Sequence, residues 1–459
     1  MESHAPSGSR TSLRLTVLGT GYLGITHAAC MASLGFDVLG VDIDEGKIGK
    51  LAAGLVPIYE PGLAELVNEG LSTGRLRFTT SYAEAAAFGD VHFLCTGTPQ
   101  LPGGGGADLR QVRACITALA PLLRRRVLIA GKSTVPVGTA QQLSDDLAVY
   151  GDLAELAWNP EFLREGSAIA DTLAPDRIVA GVRSQRADDL LRQVYARPLA
   201  AGTRYFSTTY ETAELSKVAA NSFLATKISF INAIAEVCEV SGGDVRELAA
   251  ILGADPRIGD AFLGAGLGFG GGCLPKDIRG FRSRAGELGA ISAVGLLGEV
   301  DKINLRRRSK AVDLALELAG GELTGLSVGV LGASFKPGSD DVRDSPALDV
   351  AQILHGLGAR VTVYDPVAMP NAALACPELE YAPTAAAAAG DASVVLVLTD
   401  WPEFTALSPA DLSKVVRRKN IVDARGALDP SRWADEGWSY RALGIGARRV
   451  SAPGTGTRV

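Results

Sequence analysis

Histidine is almost missing from this chain. His4, His27, His92 and His355 are the only four in 459 residues, and no two stand in an HxxxH or HxE spacing. A histidine-built zinc site is excluded, no metal is expected, and acid–base chemistry falls to Lys, Asp, Glu or water. Cysteine is sparse too. Cys30, Cys95, Cys115, Cys238, Cys273 and Cys376 lie far apart without a CxxC pair. With no export signal in the sequence, that usage points to a reduced, cytoplasmic setting rather than a disulfide framework. Positive charge is not in excess, with 45 Lys and Arg against 51 Asp and Glu, which argues against nucleic acid as a partner. No apolar run approaches the ~20 residues that span a bilayer, so no membrane partner is expected.

What is present is an apolar-rich chain long enough for several domains of roughly 100–200 residues each. The polar ends, 1–12 and 446–459, read as a disordered leader and tail. Leu13–Leu18, Asp37–Val41, Val91–Cys95 and Val127–Ala130 read as buried strands, each followed by a helical pattern. From Phe206 to about Leu252 the chain reads as helix, with Ala219, Phe223, Ile231, Ile234 and Val237 spaced for packing. A second helical stretch runs from about Ala290 to Leu318. Strand patterns return at Leu326–Leu331, Arg360–Tyr364 and Ser393–Leu398. The sequence thus predicts an α/β fold: two Rossmann-like doubly wound domains, 13–205 and 321–445, joined by a helical central region, 206–320. The basic triplets Arg124–Arg126 and Arg306–Arg308 read as solvated surface or a partner contact, and Gly103–Gly106 as a flexible loop.

The first strand runs into Gly19-Thr-Gly21-Tyr22-Leu23-Gly24 and then a helix. That order suits a dinucleotide: a tight turn at Gly19, close approach of pyrophosphate at Gly21, and helix–strand packing at Gly24. Asp42 follows the second strand, where an acidic side chain accepts ribose hydroxyls and repels a 2′-phosphate, so NAD is favoured over NADP. Lys47 is placed to face the same ribose. The second Rossmann-like region lacks such glycines, which points to a different ligand there.

The loop Gly268-Phe-Gly270-Gly-Gly-Cys273-Leu-Pro-Lys276-Asp277 is the most informative segment. A cysteine at a helix start beside a lysine has the setting of a reactive thiolate. Lys217 and Asn221, four apart, share one helix face.

Seven segments in order resemble the UDP-glucose/GDP-mannose dehydrogenase family: the Gly19–Gly24 fingerprint; Thr96-Gly-Thr98-Pro; Lys132-Ser-Thr134-Val-Pro-Val-Gly; Asn159-Pro-Glu161-Phe162-Leu163-Arg164-Glu165-Gly; Glu214-Leu-Ser-Lys217 with Asn221; Gly268–Asp277; and Phe335-Lys336-Pro-Gly-Ser-Asp-Asp-Val-Arg343. The resemblance implies a four-electron oxidation of a nucleotide-linked hexose at C6, with two NAD used in turn. Cys273 would hold the aldehyde as a thiohemiacetal and then a thioester. Lys217 and Asn221 would stabilise the oxyanion, and Asp277 and Glu161 would handle the hydrolytic water. Tyr22, Leu23, Thr98, Thr134, Glu165, Lys276 and Arg343 are implied on the cofactor side. Glu161–Glu165, Lys217, Asn221, Arg257, Phe262, Leu263, Gly264, Ala265, Gly266, Gly270 and Lys336 are implied on the substrate side, in a cleft between domains. Arg257, in Asp-Pro-Arg-Ile-Gly, is similar to the UDP-glucose branch, whereas Leu274 is similar to the GDP-mannose branch. UDP-glucose is the expected substrate and GDP-mannose the alternative. A non-catalytic NAD-binding regulator, or a two-electron hydroxyacid dehydrogenase with no use for Cys273, are the other readings. The resemblance and the apolar helical middle also imply a homodimer or larger homo-oligomer.

Overall fold

The computed structural model describes residues 13–103 and 105–446. The leader and the tail beyond Gly446 lie outside the described residues. The described chain forms two compact units. One runs to Asn221 and takes in Lys276–Ala293; the other comprises Ser222–Pro275 and the chain from Val294 onward.

The first unit is built on eight strands: β1 (Arg14–Leu18), β2 (Asp37–Val41), β3 (Leu76–Thr79), β4 (Val91–Leu94), β5 (Val127–Gly131), β6 (Ala154–Trp158), β7 (Arg177–Gly181) and β8 (Arg204–Thr208). Their order is β3-β2-β1-β4-β5-β6-β7-β8, and only the β6–β7 pairing is antiparallel. β4 and β5 are buried along their whole length, as apolar runs covered on both faces should be. One core packs Leu15, Ile25, Met31 and Phe93; the opposite face packs Leu18, Leu39, Ile129 and Trp158. The second unit carries β9 (Ser327–Leu331), β10 (Arg360–Tyr364), β11 (Glu380–Tyr381), β12 (Val394–Val397), β13 (Asn420–Asp423) and β14 (Ser439–Ala442), all parallel, in the order β11-β10-β9-β12-β13-β14. The expected pair of Rossmann-like folds with a helical region between them is therefore present. No helix of the described residues is long and apolar enough to cross a membrane.

Three local expectations need correction. Phe206 lies in the edge strand β8, and the long helix runs from Tyr210 to Ser241 before a break at Gly242 and a second helix, Val245–Gly253. On the long helix, Ile231, Ala235 and Cys238 form the packed stripe. Phe223 and Val237 lie on another face and are 66% and 57% exposed. Finally, Arg307 and Arg308 are buried, not solvated. Arg307 pairs with Glu239 at 2.6 Å and Arg308 pairs with Asp349. Partnered charge makes burial tolerable in a way that sequence spacing cannot reveal.

Glu214, near the start of the long helix, is buried. It accepts the backbone N–H groups of Gly138 at 2.7 Å and Ala140 at 2.6 Å, at the N-terminus of helix Thr139–Leu147. Burial pushes its carboxyl up to about 7, against the pull of those two bonds. A raised folded-state pKa means that the fold prefers the proton. Its stabilising contribution is complete below the ordinary glutamate range and is lost as pH rises through about 7. Glu214→Gln removes this titration. The unfolding midpoint of the variant should therefore gain on that of the parent between roughly pH 4.5 and pH 7 and keep a constant lead above that; a constant gap across pH 4.5 to 7 would show that Glu214 does not titrate there.

Candidate active site

The fingerprint turns as its glycines require. Gly19 has φ +93°, and a Cβ on Gly24 would fall 1.8 Å from the Gly19 carbonyl oxygen, so helix Tyr22–Ser33 packs against the turn only with glycine there. A Cβ on Gly21 would meet nothing within 4 Å. No side chain caps this helix, so its first N–H groups remain for an anion such as a pyrophosphate. Asp42 accepts the Thr20 N–H and hydroxyl, both at 2.9 Å, and pairs with Lys47 at 2.8 Å. Burial raises its pKa, but the Lys47 and Thr20 bonds outweigh that and hold the carboxyl below its ordinary value. An ionised acceptor thus braces the turn. The residues present fit a dinucleotide with a free 2′-hydroxyl.

Thr98 donates to the Thr134 carbonyl at 2.7 Å, joining two of the expected cofactor-side loops. Thr134 also lines a hollow with Ala107, Val137, Leu215, Lys276 and Asp277. Asp277 is buried; it accepts from the Asn221 amide at 2.6 Å and pairs with Lys276 at 2.7 Å. Lys217, one helical turn before Asn221, is also buried, with its Nζ 5.5 Å from the Phe162 ring centre. The structure therefore brings Asn221, Asp277 and Lys276 into one polar cluster, with Lys217 one helical turn from Asn221 and against the Phe162 ring. Lys276, expected beside the reactive thiol and on the cofactor side, is ion-paired with Asp277.

The 159–168 segment is held at several points. Glu161 pairs with Lys132 at 3.0 Å, and its other oxygen accepts the N–H groups of Phe162 and Leu163. Lys132 is buried and also donates to Asn159 and Tyr195. Arg164 is engaged by Asp171 at 2.6 Å. The Tyr22 hydroxyl is pushed up by burial first, and then by the Glu60 hydrogen bond, with a smaller contribution from the charge of Glu165. Lys132 stood inside a quoted motif, but nothing in its spacing marked it as the partner of Glu161.

In the second unit, Cys273 immediately precedes helix Leu274–Glu287. It is exposed, while the other five cysteines are buried. The glycines before it rest on the loop after β9. Gly270 lies against the Asp344 carbonyl and Pro346, Gly271 donates to the Arg343 carbonyl at 2.9 Å, and a Cβ on Gly272 would strike the Arg343 guanidinium at 2.3 Å. Phe269 and Asn304 exchange two hydrogen bonds. Upstream, Phe262 has φ +65°, Leu263 packs into the Ile231 cluster beside Ala265, Gly264 is exposed, and Gly266 donates to Asn232 at 2.8 Å. Lys336 sits 5.6 Å from the Phe335 ring centre. Arg257 and Arg343 pair locally with Asp255 and Asp341, and the Arg257 side chain is 88% exposed. Arg425, which no motif singled out, donates to the carbonyls of Leu398, Gly268 and Phe335 and so ties the cysteine loop to the Phe335 loop.

Comparison with known proteins identifies the family. Three domain models of the UDP-glucose/GDP-mannose dehydrogenase family match in succession: the NAD binding domain over residues 13–199, the central domain over 211–306 and the UDP binding domain over 329–430. A UDP-glucose 6-dehydrogenase of Rhizobium meliloti is 40% identical, over 94% of this chain and 99% of its own length. Another, from Bacillus subtilis, is 39% identical over 96% of this chain and 95% of its own. The solved structure of a UDP-glucose dehydrogenase from Pyrobaculum islandicum superposes with a TM-score of 0.88 at 38% identity, covering 97% of this chain and all of that one. With all three domain models matched in order and these relatives aligned almost end to end, the chain belongs to the UDP-glucose/GDP-mannose dehydrogenase family.

Proposed function

We propose that this chain oxidises UDP-glucose at C6 to UDP-glucuronate with two NAD consumed per sugar. The reading is carried by one observation: the exposed cysteine stands at the start of the helix whose first turn carries Lys276 and Asp277, the latter bonded to Asn221 of the long helix. The full-length similarity to UDP-glucose 6-dehydrogenases supports the choice of sugar nucleotide.

The Gly19–Gly24 cradle and Asp42 would hold NAD, which would supply the hydride acceptor when bound. The alcohol at C6 loses a proton and a hydride, leaving an aldehyde. The Cys273 thiolate adds to that carbonyl carbon and forms a thiohemiacetal, which prevents escape. Lys217 and Asn221 offer donors to the oxygen as negative charge develops on it. Loss of the second hydride gives a thioester. Water then attacks, the C–S bond breaks, and carboxylate and thiol are released. Asp277 is assigned to hold that water; its carboxylate keeps acceptor capacity beyond the two bonds it makes. Glu161, occupied by Lys132 and two backbone N–H groups, serves by holding the 161–165 segment against the sugar. Thr98, Thr134, Glu165 and Arg343 are assigned to the cofactor side, and Arg257, Phe262–Gly266, Gly270 and Lys336 to the nucleotide sugar. A thiol nucleophile also fits the reduced, cytoplasmic setting expected from the sequence. The exposed Phe223, Phe230 and Val237, seven residues apart on the long helix, support a homodimer through that face.

The purified chain should release two NADH per UDP-glucose and turn over GDP-mannose far more slowly. One NADH per sugar with aldehyde accumulating would remove the four-electron mechanism. Faster turnover of GDP-mannose would reassign the sugar. Cys273→Ala should lower acid formation by on the order of 10³-fold; full activity would remove the covalent step. Phe230→Glu should shift the protein to a smaller species by light scattering, and an unchanged mass would move the subunit contact elsewhere.

A further inference from the structure

Tyr22 lies inside the cofactor fingerprint, yet its hydroxyl is engaged elsewhere. It donates to Glu60 Oε2 and accepts from the Gly166 N–H at 3.0 Å. Glu60 is only 6% exposed. It precedes helix Leu63–Ser72 and belongs to none of the motifs read from the sequence. Its Oε2 also accepts the Gly166 N–H at 2.6 Å, and its Oε1 accepts the Ala168 N–H at 2.7 Å. Thus both oxygens of one buried carboxylate are spent on the end of a single segment. Lys132 grips the front of that segment through Glu161, and Glu60 grips the back. Between the two grips lie Glu161–Glu165. A buried carboxylate with charge-assisted bonds to two backbone N–H groups and a phenol is a stiff anchor. Removing the carboxylate strands the Gly166 and Ala168 N–H groups, and removing the hydroxyl takes away the phenol donor that holds Oε2 in place.

We infer that Glu60 is a positioning residue for the sugar nucleotide: with the Tyr22 hydroxyl, it holds the 161–165 segment in the shape that receives substrate. A side chain of the cofactor fingerprint therefore serves the other ligand. The inference rests on the proposed function for the identity of that ligand. It differs from a purely structural role in what it moves. Loss of general stability lowers the amount of active enzyme, whereas loss of this anchor raises one KM and not the other.

Tyr22→Phe keeps the ring and removes only the hydroxyl; Glu60→Gln replaces an acceptor with a donor facing backbone N–H groups. Both variants should raise the KM for UDP-glucose, Tyr22→Phe by about tenfold, while the KM for NAD changes by less than about twofold. Amide hydrogen exchange on the intact protein should speed up over 161–168 in both variants. If Glu60→Gln fails to fold, Tyr22→Phe alone decides the question. An increase confined to the KM for NAD, or unchanged exchange over 161–168, would overturn the inference. Parent enzyme that ignores UDP-glucose would defeat the proposed function instead, and the exchange experiment would still decide whether the anchor exists.

Discussion

A buried ammonium group demands partners, and Lys132 governs this site because it has found them all. Stripping a charge of water costs several kcal/mol unless close acceptors replace the solvent. Lys132 Nζ has three: Glu161 at 3.0 Å, Asn159 at 3.1 Å and Tyr195 at 3.2 Å. Burial alone would lower its pKa, but Glu161 and its neighbours reverse the direction and keep it charged. Asn159 in turn donates to the Val179 carbonyl. One cation just past β5 thus fixes the exit of β6, the adjoining β7 and the start of the segment assigned to substrate.

The two Rossmann-like folds show how one plan is opened or closed by local chemistry. In the first, Asp42 braces the turn after β1 but remains partly exposed, and the following helix has no side-chain cap. In the second, Asp365 after β10 is wholly enclosed. It accepts from Ala333, Ser334 and Trp401, and Ser345 caps the helix Pro346–Gly356. The first leaves its helix donors to a ligand, whereas the second spends them internally. That contrast explains why a glycine fingerprint is needed in only one of them.

Much of this was legible in the sequence wherever a local pattern carries the physics. Apolar runs marked the strands, the glycine spacing marked the cofactor turn, and Cys273 stood out because a core thiol needs no glycine loop before a helix. What escaped notice depends on pairing across long chain separations. Glu60 meets Gly166 and Ala168 over a hundred residues away. Arg307 and Arg308 read as surface because their carboxylate partners lie on other helices. Phe223 and Val237 matched a helical period, yet period alone does not say which of two apolar faces is packed.

The division of the chain has a consequence for its synthesis. The first unit is left unfinished at Asn221 and resumes only at Lys276, after Ser222–Pro275 has been laid down for the second. Helix Leu274–Glu287 supplies Arg284, whose guanidinium donates to the Val137 carbonyl at 2.9 Å. A ribosome must therefore deliver part of the second unit before the first has all its pieces. For the same reason, no single cut in the gene separates the two units.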